Sequence, residues 1–302
     1  MEIPSWPATR PIDIQDKSLF DSIFNELQPR VSEMTFAGLY LFRKAHEYQL
    51  SMIGESVVVS GKAYNNSRYV LPPLGGDDRA ACMQLLDSCL ELYGIDERLE
   101  QWFHGHSGIV SIEDRDSFDY LYLRDELANL PGNRFHKKKN RISYFTARHS
   151  NEVQRYSAEH LCGCLQLLDE WGRVAEMENN LSFSLEMDAT VEALSRADLF
   201  GLEGVVVVVD GAVRAFAVGE RLNQDTAVCH FEKADHFMEG LSQVVNREFC
   251  RQLFNDCTYV NREQDLGEPG LRNAKLSYHP VELVKKYRVS QENKTVAKDV
   301  KI

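Results

Sequence analysis

Residues 204–218 read GVVVVVDGAVRAFAV, a pattern that predicts a β-hairpin. Two apolar runs, Gly204 to Val209 and Ala212 to Val218, lie on either side of Asp210-Gly211. An Asp-Gly pair readily adopts the positive φ angles of a tight type I′ turn. The two runs are therefore expected to pair as antiparallel strands.

The residues after this hairpin predict a strand, a helix and another strand. Thr226 to Glu232 is a mostly apolar run, which is typical of a strand. A helix is expected from about Met238 to Phe254, because apolar residues recur there at helical spacing. Cys257 to Arg262 is predicted to be a short strand. The order is thus hairpin, strand, helix, strand.

The first half of the sequence can be aligned to the same order of elements. A hairpin is predicted over residues 49–59, a strand at Ser67 to Leu71, and a helix from Asp78 to Tyr93 that ends at Gly94. An extended piece near Ile109 to Ile112 would complete the copy. This repetition predicts an α/β (α+β) fold of two similar halves, each with a mixed sheet flanked by helices.

Two further helices and a division of the chain are also predicted. Apolar residues at helical spacing indicate helices at Asp16 to Leu27 and at about Ser157 to Met177. We expect the N-terminal half to span residues 1–150 and the C-terminal half residues 151–290. Residues 291–302 contain little apolar surface and are expected to form a mobile tail.

The composition is that of a globular protein from a reducing compartment. The 302 residues are 43% hydrophobic and 26% charged. The seven cysteines have no CxxC pair and no zinc-ligand spacing, so buried free thiols are expected and no metal is assigned. No stretch approaches the roughly 20 apolar residues of a membrane helix, and the start lacks a signal-peptide pattern. We therefore expect a cytoplasmic protein without an integral membrane segment, and its net charge of −12 argues against broad nucleic-acid binding.

A basic run interrupts this acidic sequence at residues 131–141, PGNRFHKKKNR. Five of its eleven residues are Lys or Arg, so one interpretation is a local site for an anion such as phosphate. The candidate binding residues are His136, Lys137, Lys138 and Asn140. The alternative is a solvated face that balances nearby acids such as Asp125 and Glu126.

Polar residues also follow the last predicted strand, in the stretch NREQDLGEPGLRNAKLSYHP at residues 261–280. Side chains beyond the end of a strand in an open α/β sheet lie where ligand crevices form. Asn261, Glu263 and Asp265 are therefore candidates to orient a nucleophile or to take its proton.

The second part of this stretch resembles a helix start and adds two cations. Arg272 and Lys275 are three residues apart, so they share one helical face and can bind an anion or a developing oxyanion. Tyr278 can supply a proton to a leaving group. The alternative is that these charges pair with one another and cap the helix.

The end of the strand before the predicted 238–254 helix is a third candidate. Glu232 and Lys233 precede a loop that leads to Gly240, and N–H groups at a helix N-terminus can bind a phosphate. An ordinary turn is the alternative. Elsewhere His104-Gly105-His106 lacks a third metal ligand, and GxSxG, Walker A and GxGxxG motifs are absent from the sequence.

Two stretches carry a resemblance to a known family. LPGNRFHKKKNRISYF at residues 130–145 and YVNREQDLGEPGLRNAKLSYHPVELVKKY at residues 259–287 are similar to the phosphatidylglycerol lysyltransferase C-terminal-like family, a bacterial domain of unknown function. The similarity covers roughly residues 18–290. It implies a tandem GNAT-like (acyl-CoA N-acyltransferase-like) fold related to the Fem-type aminoacyltransferases.

The same resemblance implies transfer of an activated acyl or aminoacyl group, carried on coenzyme A or tRNA, to an amine or hydroxyl acceptor. With an activated donor, the protein must hold the acceptor near the carbonyl, remove its proton and stabilise the oxyanion. We expect Glu263 or Asp265 to be the base. Lys275 and Arg272 would be electrostatic stabilisers and Tyr278 the acid.

The chain also departs from these relatives. EKADHFMEGLSQ at residues 232–243 stands where a GNAT protein has its Q/R-x-x-G-x-G/A pyrophosphate signature, which argues against coenzyme A. Lipid aminoacyl synthases normally carry a membrane domain, whereas no membrane segment is predicted in this sequence. A small soluble molecule or a peptide is therefore the expected acceptor here. In a second hypothesis the donor is aminoacyl-tRNA and residues 134–141 touch the phosphates of its acceptor end. In a third, the fold is a non-catalytic module that binds a ligand or a partner.

Overall fold

The computed structural model describes residues 2–176 and 181–292. The strands are β1 (Arg10–Pro11), β2 (Gln49–Ile53), β3 (Ser56–Lys62), β4 (Arg68–Val70), β5 (Glu91–Ile95), β6 (Ile109–Glu113), β7 (Asp119–Leu123), β8 (Asn151–Arg155), β9 (Glu203–Val209), β10 (Ala212–Arg221), β11 (Thr226–Ala234), β12 (Tyr259–Asn261), β13 (Glu282–Val284) and β14 (Tyr287–Gln291). The α-helices are α1 (Lys17–Leu27), α2 (Phe36–Leu41), α3 (Asp78–Asp87), α4 (Glu97–Phe103), α5 (Arg124–Asn129), α6 (His136–Thr146), α7 (Leu161–Glu176), α8 (Leu181–Ser195), α9 (Ala197–Phe200), α10 (Leu241–Gln252) and α11 (Pro269–Leu276).

The chain forms two compact units whose bounds differ from the predicted halves. The first unit contains the chain up to Asp119, Gln264–Asn273 and the chain from Leu283 onward. The second contains Tyr120–Glu263 and Ala274–Glu282. The boundary expected at residue 150 differs from the observed one at residue 120. The reason is that β7 pairs with β12, which puts residues 120–149 into the second unit. The first residue of the predicted tail, Gln291, is the last residue of β14, and residues 293–302 lie outside the described residues. Met177, the predicted last residue of the helix that begins near Ser157, also lies outside them.

Both sheets repeat one order of elements. The first sheet has the strand order β1-β2-β3-β4-β5-β14-β6 and the second β13-β7-β12-β11-β10-β9-β8. In each sheet an antiparallel hairpin is followed by a third strand, a helix, and a strand parallel to the third: β2-β3-β4-α3-β5 in one and β9-β10-β11-α10-β12 in the other. The predicted α/β fold of two similar halves with mixed sheets flanked by helices is confirmed.

One predicted helix is too long. The helix expected from Asp78 to Tyr93 ends at Asp87, and residues 91–95 form β5. Ser88 caps the helix and Cys89 has a φ of 56°, which breaks the helical path. The counterpart of β12 in the first unit is therefore β5, and not the extended piece near Ile109, which is β6.

The valine run of β9 lies in the interior of the second unit. Val205, Val206, Val207 and Val209 are at most 1% exposed, because both faces of the strand are covered. The predicted turn is confirmed, since Asp210 and Gly211 both have positive φ angles of 51° and 78°. Among the described residues, none of the helices combines the length and apolarity that crossing a membrane requires.

A bulge disturbs the pairing of β10 with β11. Val218 lies opposite Phe231 and Gly219 opposite Cys229, so His230 is the extra residue. A Cβ atom at residue 219 would overlap the carbonyl oxygen of Val228, so only glycine fits there.

Candidate functional site

The candidate site lies in the second unit, where two parallel strands part. β11 and β12 pair over three residues, up to Val228 opposite Asn261. Beyond this pair β11 continues to Ala234, whereas β12 ends. A crevice beyond the carboxyl ends of parallel strands is a usual ligand site in α/β sheets. The polar side chains that follow on either strand are therefore of functional interest.

A buried imidazole lies between two carboxylates at this point. His230 Nδ1 is 2.8 Å from Glu263 Oε1, and its Nε2 is 2.9 Å from Glu220 Oε1. Burial alone lowers the pKa of His230, but the hydrogen bonds to both carboxylates outweigh it and raise the pKa to about 10. His230 is therefore an imidazolium at neutral pH and donates from both ring nitrogens. We call Glu220, His230 and Glu263 the carboxylate–imidazolium triad.

Two buried side chains fix the turn that carries Glu263. Asn261 Oδ1 accepts a hydrogen bond of 2.8 Å from the Glu263 N–H. Lys275 Nζ donates to the carbonyl oxygens of Arg262 at 2.7 Å and Glu263 at 3.1 Å. Glu263 has a φ of 54°, which is uncommon for a residue with a side chain. Asn261 and Lys275, both predicted site residues, thus hold the backbone of this turn.

A second cluster surrounds Arg262. Its guanidinium is 2.9 Å from Glu232 Oε2, which also accepts a hydrogen bond of 3.1 Å from Asn246 Nδ2. Burial lowers the pKa of Arg262, but the charge of Glu232 and nearby phenols raise it overall. We call Glu232, Asn246 and Arg262 the arginine cluster.

Two buried acceptor atoms on α10 accompany this cluster. Asn246 Oδ1 and Gln243 Oε1 have no hydrogen-bond partner among the described residues. Gln243 and Asn246 are three residues apart, so they share one face of the helix. Asn246 is only 2% exposed, and an unpaired buried acceptor costs about 1–3 kcal/mol.

Lys138 on α6 has an unusual electrostatic environment. Its Nζ is 2.6 Å from Ser277 Oγ and 3.8 Å from the centre of the Tyr278 ring. Burial, and then the charges of Arg262 and Arg141, lower the pKa of Lys138 to about 8. Near neutral pH a part of this amine is therefore unprotonated.

We expect Lys138 to react with an amine-specific acylating reagent with a midpoint near pH 8, because only the neutral amine is nucleophilic. Mass spectrometry of the labelled α6 peptide over a pH series measures this midpoint. Arg141→Gln removes one of the charges that lower the pKa, so the midpoint should rise in that variant. A midpoint near 10.5 in the wild-type protein would contradict the described environment of Lys138.

Tyr278 is buried beside both clusters. It is 6% exposed, and the Arg262 guanidinium lies 5.3 Å from the centre of its ring. Burial raises the pKa of Tyr278 well above its usual value, although Arg262 opposes the change. The phenol thus keeps its proton at neutral pH and can donate a hydrogen bond.

Lys233 lies apart from these groups. It follows Glu232 in β11, and successive side chains of a strand point to opposite faces. Its Nζ is 2.7 Å from Glu186 Oε1 and 5.3 Å from the centre of the Trp171 ring. Lys233 therefore binds α8 and does not join the arginine cluster.

The other predicted residues of the basic run are exposed on α6. His136, Lys137 and Asn140 face solvent, and Asn140 Nδ2 is 3.0 Å from His136 Nε2. Residues 136–141 of the run form the first turns of α6, and residues 131–135 precede the helix. Lys138 alone of the four turns toward the interior of the unit.

Asp265 and Arg272 belong to the first unit. Arg272 binds both carboxylate oxygens of Asp265, at 2.9 Å and 2.8 Å, and Asp116 at 2.6 Å. Asp265 is fully buried and also accepts from Arg115 at 3.1 Å. These charges pair with one another, as the alternative interpretation of the sequence had it, because the chain passes into the first unit after Glu263.

The start of α10 is closely covered by α6. Gly240 has a φ of 94°, and a Cβ atom there would overlap the carbonyl oxygen of Arg141. A phosphate at the predicted seat before α10 would have to fit beside this contact. The geometry thus differs from an open, glycine-rich phosphate loop.

His230, Glu220 and Arg262 are not among the site residues predicted from the sequence. His230 and Glu220 lie inside strands, whereas the sequence pattern favours residues beyond the predicted strand ends. A signal was available for His230, since a polar residue in the apolar run TAVCHF must find partners if it is buried. Arg262 lies within the polar stretch at residues 261–280, but its burial depends on tertiary contacts that the sequence does not show.

Comparison with known proteins identifies the relatives of this chain. A family model described as "Phosphatidylglycerol lysyltransferase, C-terminal" matches residues 24–290. No curated protein matches the chain. The chain is similar to a solved conserved protein of unknown function from Bacteroides thetaiotaomicron, with 28% identity, a TM-score of 0.86, and coverage of 94% of this chain and 99% of that one.

Two more distant structures share the fold. L-PGS from Bacillus licheniformis has 14% identity, a TM-score of 0.65, and coverage of 98% of this chain and 96% of that one. A tandem GNAT protein from the clavulanic acid biosynthesis pathway has 10% identity, a TM-score of 0.50, and coverage of 96% and 99%. At these identities the likeness concerns the fold, which is the tandem GNAT-like arrangement expected from the sequence.

Proposed function

Since this chain belongs to the phosphatidylglycerol lysyltransferase C-terminal family, we propose that it is a transferase that moves an activated acyl or aminoacyl group to an amine or hydroxyl acceptor. The observation that carries this proposal is the carboxylate–imidazolium triad at the parting of β11 and β12. The triad presents an oriented carboxylate where a ligand crevice is expected.

Glu263 is the proposed base. Its Oε1 is bound to His230, and its side chain is 27% exposed, so the carboxylate remains accessible to a substrate. The acceptor O–H or N–H gives its proton to Glu263 while its heteroatom attacks the carbonyl carbon of the donor. The donor oxygen or sulfur then leaves with a proton, and the acyl group remains on the acceptor as an ester or amide.

The oxyanion of this reaction needs a positive environment, which Lys138 and Arg262 supply. Tyr278, with its raised pKa, donates a hydrogen bond to the oxyanion or to the leaving group. The acceptor is a small molecule or a peptide. Lys275 and Asn261 act by holding the Glu263 turn, and Asp265 and Arg272 by stabilising the first unit.

Aminoacyl-tRNA is the favoured donor. The GNAT pyrophosphate signature is absent before α10, and Gly240 at its start packs on the backbone of α6, so the favoured donor is not coenzyme A. The exposed His136, Lys137 and Asn140 and the half-buried Lys138 can contact phosphates at the acceptor end of tRNA. The seven free cysteines support a cytoplasmic location, where such a donor is made.

A ligand screen tests this proposal. We expect a non-hydrolysable aminoacyl-tRNA mimic to raise the unfolding temperature, because a ligand at 100 times its Kd stabilises the native state by about 2.7 kcal/mol. Acyl-coenzyme A and free amino acids, tested beside it, should cause smaller shifts. The matched variant Lys137→Glu/Lys138→Glu/Lys139→Glu should lose the effect of the tRNA mimic and its salt dependence.

The outcomes of this screen separate the candidate functions. If acyl-coenzyme A alone stabilised the protein, the chain would still be a transferase, but its donor would be acyl-coenzyme A and not aminoacyl-tRNA. No stabilisation by any member of the panel would favour the non-catalytic module. Unchanged binding by the triple variant would exclude α6 from the tRNA contact.

A further inference from the structure

The first unit contains a cavity at its own pair of parting strands. β4 and β5 are parallel and pair over two residues, Tyr69 opposite Glu91 and Val70 opposite Leu92. The cavity, of about 780 Å³, lies beyond this pair, with Pro72–Gly76 on one side and Gly94 on the other. This volume is within the range of about 300–1,000 Å³ typical of small-molecule sites.

One wall of the cavity is fixed by bonds to β3. Leu74 exchanges two backbone hydrogen bonds with Val57, of 2.8 Å and 2.9 Å. Ser56 Oγ donates to the carbonyl oxygen of Gly75 at 2.8 Å. Gly76 packs directly on Ser56, so that even a Cβ atom there would lie 2.7 Å from the Ser56 hydroxyl. This wall is therefore rigid before any ligand binds.

A second wall is held by charges buried behind it. Lys286 Nζ, which is fully buried, donates to both Glu33 oxygens at 2.7 Å and 2.6 Å and to Asp119 Oδ1 at 2.7 Å. We call Glu33, Asp119 and Lys286 the buried ion cluster. Glu33 lies between the lining residues Val31 and Met34. Buried charges are expensive to desolvate, so their use to anchor an irregular wall indicates a preformed site.

The interior of the cavity is apolar. The buried lining side chains include Val31, Met34, Leu74, Leu99 and Val284. Gly94 is buried too. A Cβ atom added to Gly94 would nevertheless have no atom within 4 Å, apart from those of Gly94 and its two chain neighbours. A buried glycine that faces open space shows that the cavity reaches its backbone.

The rim of the cavity is charged but balanced. Three cations line it, namely Arg30, Arg98 and Lys285, against three anions, namely Asp78, Asp96 and Glu97. Arg98 lies 3.3 Å from Asp78 and 4.0 Å from Asp96. A ligand head with a net charge would therefore meet as many groups of like charge as of opposite charge.

We propose that this cavity binds a small amphipathic molecule with an apolar body and a zwitterionic head group. The apolar body fills the interior beside Gly94, and the head group lies at the rim near Arg98 and Asp96. The proposal concerns the first unit alone and is independent of the transfer reaction assigned to the second.

Three probes with the same decyl chain test the head group: a decyl sulfobetaine, decyl sulfate and decyltrimethylammonium, each below its micelle-forming concentration. Isothermal titration calorimetry on the full chain should give saturable binding of one sulfobetaine per chain, at least about tenfold tighter than either charged probe. Arg98→Glu changes the rim by two negative charges at an exposed side chain, so decyltrimethylammonium should then bind most tightly. Arg68→Glu, on β4 but outside the lining, is the matched control and should keep the original order.

A second pair of variants tests whether the probe enters the cavity. Gly94 and Gly105 both have positive φ angles, 73° and 87°, with open space at the Cβ position, but only Gly94 lines the cavity. Asparagine tolerates this backbone conformation, so Gly94→Asn and Gly105→Asn should both fold. Gly94→Asn puts an amide into the apolar interior and should abolish sulfobetaine binding, whereas Gly105→Asn should retain it.

Three results would overturn the proposal. Absence of saturable binding by all three probes would mean that the cavity is not an amphiphile site. Tightest binding of decyl sulfate or decyltrimethylammonium to the wild-type protein would refute the zwitterionic head. Equal binding by Gly94→Asn and Gly105→Asn would place the probe outside the cavity. None of these results bears on the donor screen of the second unit, so the two proposals fail separately.

Discussion

Replacing Lys286 by methionine is expected to lower the free energy of unfolding by about 3–5 kcal/mol. Lys286 is the cation of the buried ion cluster and is fully buried between Glu33 and Asp119. Methionine keeps much of the apolar stem but removes the charge, so two buried carboxylates would face each other without a cation. Urea unfolding at neutral pH, followed by circular dichroism, measures the loss.

The neighbouring lysine provides the control. Lys285 is 40% exposed and pairs with Glu113, so Lys285→Met should leave the unfolding midpoint nearly unchanged. Burial already raises the pKa of Glu33, and without Lys286 this carboxyl should bind a proton at still higher pH. A neutral carboxyl needs no cation, so the deficit of Lys286→Met should shrink as the pH falls. Equal losses in both variants, or a deficit independent of pH, would contradict this account.

Glu263→Gln is expected to reduce the rate of acyl transfer by about 10²–10⁴-fold, with a small effect on KM. Glutamine retains an oxygen that can accept from His230 Nδ1, so the side chain should keep its place. It cannot accept a proton from the attacking acceptor, however. The rate is measured with the donor that the ligand screen identifies, at saturating acceptor.

Glu152→Gln is the matched control for this substitution, because Glu152 is an exposed glutamate of the same unit on β8. It should react at the wild-type rate. If Glu263→Gln also retained full activity, Glu263 could not be the base. A loss that appeared only as a higher KM would assign Glu263 to substrate binding and not to proton transfer.

Local patterns in the sequence predicted the strongest elements of the fold. The valine run with Asp210-Gly211 specifies its own hairpin, and the apolar stripes of α1, α7 and α10 specify helices, because each depends on residues close in the chain. The first three residues of the strand at residues 91–95 were predicted to belong to the helix that would end at Tyr93. Its strand form depends on pairing with β4 and β14, and that pairing is a tertiary contact.

The candidate site was predicted only in outline. The region after β12 was identified from its position at a strand end, and Glu263 and Tyr278 do lie near the parting strands. The partner of Glu263 could not be predicted, because His230 is 33 residues away and meets it only when β11 and β12 align. Asp265, two residues beyond Glu263, belongs to the other unit, and no spacing rule separates two such neighbours.

The position of β14 has a consequence for the order in which this protein folds during synthesis. β14 lies between β5 and β6 in the first sheet, although it is made last of all the described strands. Until residues 287–291 leave the ribosome, β5 and β6 have an unfilled gap between them, with backbone N–H and C=O groups exposed on both sides. The first unit therefore cannot finish folding until residues 287–291 have been made, and a nascent chain stalled short of β14 presents open strand edges that invite aggregation.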